Sequence, residues 1–353
     1  MADTAIKSEE EKKEFFDSPE VLDQKVQMLA EMVIMSQHMV AFTGAGISTA
    51  AGVPDYRSGY NTVLETGPGC WETAANKKKY QEEQKKNPGR KASKSPANKA
   101  TLRTSIQKAY PTKTHMGLVE LTEKNHLKFV VSQNVDGLHR KSGIPPENLA
   151  ELHGNTNLEV CEKCGREHMR DMRVRTAQRV HEHATGRTCD TPSCGGQLHD
   201  TIINFGENLN ENILELGFQN CQAADLCLVM GTSLRVTPAA DMPKETALKG
   251  GNLVICNLQK TPLDNLATLC IYEKCDVIME LLIKKLGYQI PAWQLKRRLS
   301  LEVSKNGKSI QAMGVDSNGA PFTLFNDIKV SDLGPTASIK KGKQPFLKAI
   351  PDA

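Results

Sequence analysis

Four short apolar segments, each followed at once by small and polar residues, constrain the fold of this chain most strongly. Segments with apolar residues at helical spacing separate them, the first at 19–37. Strands that alternate with helices predict a parallel, doubly wound α/β sheet, and such sheets bind ligands beyond the carboxyl ends of their strands. The four polar tips should therefore line one crevice. The segments and tips are Met39–Phe42 with Thr43-Gly-Ala-Gly, Leu127–Ser132 with Gln133-Asn-Val-Asp, Leu226–Met230 with Gly231-Thr-Ser, and Leu253–Cys256 with Asn257-Leu-Gln.

The composition is that of an ordinary globular protein, with 39% hydrophobic and 24% charged residues among 353. The longest apolar stretches have the length of strands, so we predict no membrane-spanning segment. The N-terminal residues are charged and have no apolar core, which argues against a secretory signal. Residues 76–99 carry nine Lys or Arg against two Glu and almost nothing apolar. We expect a solvated, mobile insertion there, serving either solubility or contact with nucleic acid or an acidic partner.

The ten cysteines are unevenly distributed, because four of them fall within 161–194. Cys161 and Cys164 form one close pair, and Cys189 and Cys194 form a second, looser pair. Two pairs joined by a loop can supply the four ligands of a tetrahedral zinc site. Four thiolates would leave no open position, so we predict one structural Zn²⁺ in a reducing compartment. A histidine of the intervening loop could replace one ligand, and a redox pair is the other alternative; these histidines are His168, His181 and His183.

A glycine turn follows the first apolar strand. Gly44, Ala45 and Gly46 should open a helix whose free N–H groups and close backbone approach suit a pyrophosphate. Thr49 stands where the dinucleotide fingerprint has its third glycine, and such a turn can equally be structural. We expect Pro54 to cut the helix short. Asp55, Tyr56 and Arg57 would then lie beside the turn.

Four motifs in order resemble the signatures of the sirtuin family, over about residues 21–293. They are Gly44-Ala-Gly-Ile-Ser with Pro54-Asp-Tyr-Arg, Gln133-Asn-Val-Asp-Gly-Leu-His, Glu151-Leu-His-Gly, and Gly231-Thr-Ser-Leu. Ile290-Pro-Ala-Trp, Asn257-Leu-Gln and Lys274-Cys-Asp resemble the nuclear branch of that family, its class IV. Tyr56 departs from the usual phenylalanine, and the stretch between Arg57 and Gln133 is longer than in the family.

The resemblance implies a catalytic base at His153, since imidazole titrates near neutral pH and the glycine after it leaves room for substrate. It implies that Asn134 and Asp136 form the nicotinamide pocket with its ribose, although Asp136 could be a turn residue. A segment at 203–207 resembles the Phe-Gly-Glu stretch on which substrate backbone adds as a strand. The remaining implied NAD contacts are Gly44, Ala45, Gly46, Thr49, Asp55, Tyr56, Arg57, Trp71, Gln133, Gly231, Thr232, Ser233, Asn257, Gln259 and Cys275.

Within that set, Tyr56, Arg57 and Trp71 would close over the nicotinamide, and Gln133 would contact its ribose. Arg57 could otherwise be a plain surface charge. Hydroxyls at 232–233 would bind phosphate or ribose, Asn257 and Gln259 the adenosine ribose, and the backbone at Cys275 the adenine.

The implied activity is NAD-dependent deacylation of protein lysine, with transfer of the acyl group to ADP-ribose and release of nicotinamide. The implied partner is an acyl-lysine protein, with a histone as one candidate. Protein mono-ADP-ribosyl transfer is an alternative, because a protein nucleophile could trap the same activated ribose. A non-enzymatic chromatin or nucleic-acid adaptor is the alternative from another class.

We therefore expect a Rossmann-like large domain with a small zinc-binding domain inserted. The nuclear branch and the basic clusters favour the nucleus, with the cytoplasm as the alternative. Strand-like pieces at 310–315 and 322–325 belong to a peripheral tail. The predicted bounds are 1–20 for an N-terminal extension, 21–155 with 204–293 for the large domain, 156–203 for the zinc domain and 294–353 for the tail.

Overall fold

The computed structural model describes residues 11–86, 102–295, 298–303, 309–315, 327–330, 337–340 and 346–349. The chain divides into two compact units, of which the larger comprises 1–153 with 208–293 and the smaller 154–207 with 294–353. The expected strand at 322–325 and residues 87–99 of the basic insertion lie outside the described residues.

Fifteen strands and seven α-helices are described. The strands are β1 (Met39–Thr43), β2 (Leu127–Ser132), β3 (Leu149–Glu151), β4 (Leu158–Cys161), β5 (Glu167–Met169), β6 (Ala184–Thr188), β7 (Gln197–Asp200), β8 (Leu226–Met230), β9 (Asn252–Cys256), β10 (Leu269–Ile271), β11 (Arg298–Val303), β12 (Ser309–Val315), β13 (Asp327–Val330), β14 (Ala337–Lys340) and β15 (Phe346–Ala349). The helices are α1 (Pro19–Met35), α2 (Cys70–Lys86), α3 (Lys113–Glu123), α4 (Leu138–Ser142), α5 (Glu211–Ala223), α6 (Asp241–Leu248) and α7 (Cys275–Lys285), with 3₁₀ turns at Ala45–Ala51, Ile106–Lys108 and Pro146–Asn148.

The larger unit is built on a six-stranded sheet in the order β10-β9-β8-β1-β2-β3. Every neighbouring pair is parallel, which confirms the predicted fold class. The four predicted strands are β1, β2, β8 and β9. The two edge strands, β3 and β10, have only three residues each, too few to show a hydrophobic period.

Two hydrophobic clusters cover the two faces of this sheet, and β1 feeds both. Met39 and Ala41 pack into the cluster with α1, α3 and α7, whereas Val40 and Phe42 pack into the cluster with α5 and α6. Side chains alternate between faces along a strand, so a strand buried on both sides is apolar throughout. This burial explains why β1 reads as a continuous apolar run.

Helix α1 begins where Ser18 caps it, its hydroxyl accepting from the Val21 N–H at 3.4 Å. Proline at the first helical position has no N–H to lose there. Buried side chains then recur every three or four residues, which matches the predicted amphipathic helix. They are Leu22, Val26, Leu29, Ala30 and Val33.

Helix α2 differs from the expectation for the basic insertion. It continues through residue 86, so the first eleven residues of that insertion are helical. Lys, Glu and Gln lose little side-chain entropy in a helix, which lets a charged segment stay helical without an apolar face. The main-chain N–H groups of Cys70 and Trp71 anchor its first turn on the carbonyls of Asp55 and Tyr56, at 2.8 and 3.1 Å.

The smaller unit contains an antiparallel sheet in the order β5-β4-β7-β6. Its completely buried Glu159 accepts from Arg170 Nε at 2.7 Å and from Arg187 Nε at 2.8 Å, so the buried charge is paired twice. The segment after 293 forms two further antiparallel groups, β11-β12-β15 and β13-β14. Strand β12 confirms the predicted strand at 310–315.

None of the helices in the described ranges combines the length and the apolar character that crossing a bilayer requires.

Candidate active site and metal centre

The end of β1 and the end of β8 are joined through the glycine turn. Gly44 N–H donates to Met230 O at 3.0 Å, and Gly46 N–H donates to Gly231 O at 2.8 Å. The main-chain N–H groups of Gly44 and Gly46 are therefore engaged by the end of β8, and the contact of this turn with a pyrophosphate stays a prediction. The turn enters a 3₁₀ helix that ends at Gly52 with φ of +82°, so Gly52 and not Pro54 terminates it.

Close approach of two loops explains why positions 44 and 46 are glycine. A Cβ on Gly44 would lie 2.6 Å from Thr232 Cβ, and one on Gly46 would lie 2.6 Å from Gly231 Cα. The glycines thus make room for the loop after β8. The sequence alone had suggested that they make room for a phosphate. The side chain of Thr49 turns back to Gly46 O at 3.0 Å.

The end of β2 reaches the same loop. Gln133 Nε2 donates to Thr232 Oγ1 at 2.8 Å, and that oxygen also accepts from Leu234 N–H at 3.3 Å. Ser233, which lies between Thr232 and Leu234 in the chain, is half-buried. The predicted side chains of the β2 and β8 ends are therefore in direct contact.

A buried polar cluster links the β2 end to the glycine turn. Asn134 Nδ2 donates to Gly44 O at 3.0 Å, and Asp136 accepts from Ser48 Oγ at 2.6 Å and from Leu138 N–H at 2.9 Å. Burial raises the pKa of the Asp136 carboxyl, and these two hydrogen bonds oppose the rise. Ser48 belongs to the motif that begins at Gly44, but the sequence analysis assigned it no contact. Its place one helical turn after Gly44 is the sequence signal that could have indicated one.

His153 lies two residues after β3, and its ring is oriented by main chain. Its Nδ1 is 2.9 Å from the carbonyl oxygen of Gln133. A carbonyl can only accept, so Nδ1 carries the proton and Nε2 keeps a lone pair. Burial lowers the pKa of this imidazole, with the Gln133 hydrogen bond acting in the opposite direction. The ring is therefore a neutral base at neutral pH.

The residues predicted to cover the nicotinamide lie together in a segment at 55–72, named the 55–72 loop below. The rings of Tyr56 and Trp71 are 5.4 Å apart, and the Arg57 guanidinium lies 4.5 Å from the Trp71 ring centroid. Burial and the nearby Arg235 lower the pKa of Arg57 to about 10. The Asp55 carboxylate accepts from Ser58 N–H at 3.1 Å, while burial raises its pKa.

The three predicted adenosine residues lie on the β8–β9–β10 side of the sheet. Asn257 Nδ2 donates to Gln259 O at 2.8 Å, and the buried Gln259 donates to Lys12 O at 3.2 Å. Cys275 is the first residue of α7, and burial raises the pKa of its thiol to about 12. Across the described ranges, no hydrogen bond joins this group to the glycine turn or to His153. The contact from Lys12 was missed, because nothing in a charged N-terminal segment marks it as a site.

The four predicted zinc cysteines meet at one point in the smaller unit. They are unpaired thiols, and their sulfurs all lie within 4.8 Å of one another. Cys161 Sγ is 3.6 Å from Cys194 Sγ, and Cys164 Sγ is 3.8 Å from Cys189 Sγ. A tetrahedron with Zn–S bonds of 2.3 Å has edges of about 3.8 Å, so the donor set fits zinc.

The histidines of the intervening loop do not complete this set. His168 Nε2 lies 3.4 Å from Cys189 Sγ, so His168 contacts one of the four cysteines and does not replace it. His183 contacts carboxylates instead, at 3.4 Å from Asp200 and 3.3 Å from Glu207. The four-cysteine reading therefore stands.

Known proteins are similar to this chain in sequence and in fold. The Sir2 family profile matches residues 44–238. The chain is 37% identical to NAD-dependent protein deacetylase SRT1 of Oryza sativa subsp. indica, over 90% of this chain and 61% of that protein. It is 39% identical to NAD-dependent protein deacetylase Sirt6 of Drosophila melanogaster, over 79% of this chain and 81% of that protein.

A solved Sir2 structure with a deacetylated p53 peptide and 3'-O-acetyl ADP ribose has the same fold. It aligns with a TM-score of 0.54 and 27% identity, over 75% of this chain and all of that one. The chain spans about three fifths of the rice relative's length. The family profile covers more than half of this chain, and the chain covers 81% of the Drosophila relative at 39% identity. The chain therefore belongs to the Sir2 family.

Proposed function

We propose that this protein is an NAD-dependent protein-lysine deacylase, which transfers the acyl group to ADP-ribose and releases nicotinamide. The observation that carries the proposal is the fixed imidazole of His153, whose Nδ1–H is held by the Gln133 carbonyl and whose pKa is lowered by burial. A neutral imidazole with a lone pair on Nε2 is what a general base requires at neutral pH. The names of the relatives and the acetyl ADP ribose in the solved Sir2 structure support the same chemistry.

The residues around the glycine turn fit NAD by their chemistry. The Asn134 amide and the buried Asp136 carboxyl suit the carboxamide of nicotinamide, and the hydroxyls of Thr232 and Ser233 suit phosphate or ribose oxygens. Asn257 and Gln259 would hold the adenosine ribose. NAD, when bound, would supply a ribose carbon that loses nicotinamide and accepts the acyl oxygen.

His153 would move the proton in this reaction. Its Nε2 would take a proton from a ribose hydroxyl, while the Nδ1–H bond to Gln133 keeps the ring from turning and stabilises the positive charge that develops on it. Asp136 would orient the nicotinamide end, since Ser48 and Leu138 fix its carboxyl. Tyr56, Arg57 and Trp71 would exclude water from the reacting carbon.

The substrate we propose is an acyl-lysine protein, whose backbone adds as a strand at 203–207. Phe205 is 54% exposed, and the Glu207 carboxylate accepts from Asn204 N–H at 2.6 Å and from His181 N–H at 2.7 Å. Although burial opposes it, these hydrogen bonds lower the pKa of Glu207 to about 2. The Glu207 carboxylate thus fixes the conformation of the segment that would receive the peptide.

Four thiolates at Cys161, Cys164, Cys189 and Cys194 would hold one zinc ion with no open position. The metal would then hold the smaller unit folded and take no part in the chemistry. A nuclear location, a histone substrate and a nucleic-acid contact through 76–99 belong to the same proposal. The exposed Lys77 and Lys78 on α2 are compatible with that contact.

The test is nicotinamide release from NAD with a panel of acyl-lysine peptides that differ in chain length. The wild type is compared with His153→Ala and with His38→Ala, whose imidazole contacts Asn220 and lies outside the proposed site. We expect release that needs the acyl peptide, survives in His38→Ala and falls at least 100-fold in His153→Ala.

Release that ignores the acyl peptide and labels protein with ADP-ribose would overturn deacylation in favour of mono-ADP-ribosyl transfer. No release from zinc-loaded, folded protein, together with salt-sensitive nucleic-acid binding that His153→Ala retains, would favour the adaptor.

A further inference from the structure

Residues 11–17 form a segment without helix or strand that runs along the larger unit, named the N-terminal strap below. It precedes the capped start of α1, and none of the predicted site residues belongs to it. Its side chains and main chain nevertheless bond to three of the loops that carry those residues. A charged N-terminal extension that only keeps a protein soluble would not need these bonds.

The first set of bonds reaches the 55–72 loop. The Glu14 carboxylate accepts from Thr62 Oγ1 at 2.6 Å and from Val63 N–H at 2.9 Å, one oxygen for each donor. Lys12 Nζ lies 2.7 Å from the Glu72 carboxylate, and both side chains are mostly buried, at 14% and 24% exposure. The strap thus bonds to the middle of this loop and to its end.

The second set reaches the loops that follow β9 and β10. Phe15 N–H donates to Leu258 O at 2.8 Å, and Gln259 Nε2 donates to Lys12 O at 3.2 Å. Asp17 N–H donates to Tyr272 O, and Tyr272 N–H donates back to Asp17 Oδ2, both at 2.9 Å. The main chain of the strap therefore bonds to Gln259 itself, to the adjacent Leu258, and to Tyr272 three residues before Cys275.

A third bond reaches the loop after β8. Arg235 Nη2 lies 3.0 Å from the Glu11 carboxylate. Arg235 follows Leu234 in the motif that begins at Gly231, and its charge lowers the pKa of Arg57. Glu11 therefore pairs with a cation whose charge acts on the guanidinium proposed to close over nicotinamide.

We propose that the N-terminal strap is a positioning element for NAD, which holds the 55–72 loop and Gln259 in their binding arrangement before the cofactor arrives. The inference rests on the proposed function, because only that function makes the 55–72 loop and the loop that carries Gln259 part of an NAD site. The 55–69 part of the loop has no helix or strand of its own. Its order must come from tertiary bonds, and ordering such a loop only on binding would cost conformational entropy. Ordering it in advance removes that cost from the affinity.

The key residue is Glu14, because within the part of the chain that the structure describes its carboxylate bonds twice to the loop and to no proposed NAD contact. Glu14→Ala is compared with the wild type and with Glu31→Ala, a glutamate on α1 that contacts Gln27. Thr62→Val is the second variant: at nearly constant volume it removes the Thr62 bond to Glu14, together with the 3.1 Å bond that the Thr62 hydroxyl accepts from Leu64 N–H. Three quantities are measured: hydrogen exchange across 55–72 without NAD, the Kd for NAD, and KM and kcat with NAD and acyl peptide varied in turn.

We expect Glu14→Ala to speed exchange in 55–72 and to raise the Kd and the KM for NAD by about tenfold, about 1.4 kcal/mol. Thr62→Val should raise both by about threefold, while the peptide KM and kcat stay within twofold and Glu31→Ala matches the wild type. A general loss of packing would instead change the peptide KM and the melting temperature as well.

Unchanged NAD affinity in a Glu14→Ala protein that melts as the wild type does would overturn the strap inference and leave the deacylase proposal intact. Should Glu14→Ala fail to fold, the Thr62→Val result decides on the same criterion. A wild type that binds no NAD at all would overturn both proposals.

Discussion

The Nδ1–H of His153 donates to the main-chain carbonyl of Gln133 across 2.9 Å. This bond fixes the tautomer with a backbone group, while burial lowers the pKa of the ring. A base whose pKa is depressed stays neutral, and so active, to a lower pH than an exposed histidine does. We predict that kcat/KM falls on the acid side of its pH profile, and that the midpoint of this fall lies below about pH 6.5, the ordinary histidine pKa. A pH–rate profile checks this, and an acid limb at or above that value would contradict it.

His115 and His139 form a buried pair of imidazoles whose ring centroids are 4.9 Å apart. Burial lowers the pKa of both, that of His139 to about 4. The unfolded chain therefore binds protons that the folded chain does not, and stability falls as the pH drops from about 6.5 toward 4. Urea unfolding between pH 7.5 and 4.5 measures the fall.

His139→Gln separates this effect from the titration of carboxylates, because the amide can replace the ring nitrogen that contacts Thr43 Oγ1 at 2.8 Å. We expect the pH slope of the unfolding free energy to be less steep in this variant, by up to about 1.4 kcal/mol per pH unit. Equal slopes in the two proteins would exclude His139 as a source of acid lability.

The four thiols of the smaller unit should hold one zinc per chain. We predict that Cys164→Ser lowers the zinc content of purified protein well below one and makes the region 154–207 sensitive to protease, because the remaining donors cannot close the tetrahedron. Cys70→Ser serves as the control, since that exposed cysteine lies outside the cluster and should leave the zinc content at one. Elemental analysis and limited proteolysis give the two readouts.

Gly44 tests the close approach of the β1 and β8 loops. A Cβ at this position meets Thr232 Cβ at 2.6 Å and Gly231 O at 2.8 Å, so Gly44→Ala should cost about 1–3 kcal/mol of unfolding free energy. Gly59→Ala is matched to it, because its nearest neighbour would be the flexible Lys12 side chain at 3.6 Å. Thermal melts that shift equally for both variants would disagree with this account.

Motifs placed at strand ends were the most informative part of the sequence. The alternation of four apolar segments, now β1, β2, β8 and β9, with helical segments predicted a parallel sheet, and a parallel sheet brings Gln133, Gly44 and Thr232 to one edge. The paired spacing of the cysteines likewise predicted their meeting at one point. Both predictions succeed because the signal is local and the geometry that follows from it is simple.

Other features depended on contacts between residues distant in sequence. The reason for glycine at 44 and 46 is a loop that begins nearly 190 residues later, so the turn alone suggested a phosphate instead. The bonds of Glu14 to Thr62 and of Lys12 to Gln259 leave no periodic pattern in a charged segment. Helix α2 was missed because it lacks the apolar stripe by which an amphipathic helix is recognised.

The strand order places β1 in the middle of the sheet, between β2 and β8. A ribosome makes β1, β2 and β3 first, and then the 74 residues of 152–225 before β8. If β1, β2 and β3 pair during that interval, the edge of β1 that faces β8 would keep unpaired N–H and C=O groups, with an apolar surface on both faces. Such a nascent chain would expose an aggregation-prone strand edge until residue 230 has left the exit tunnel.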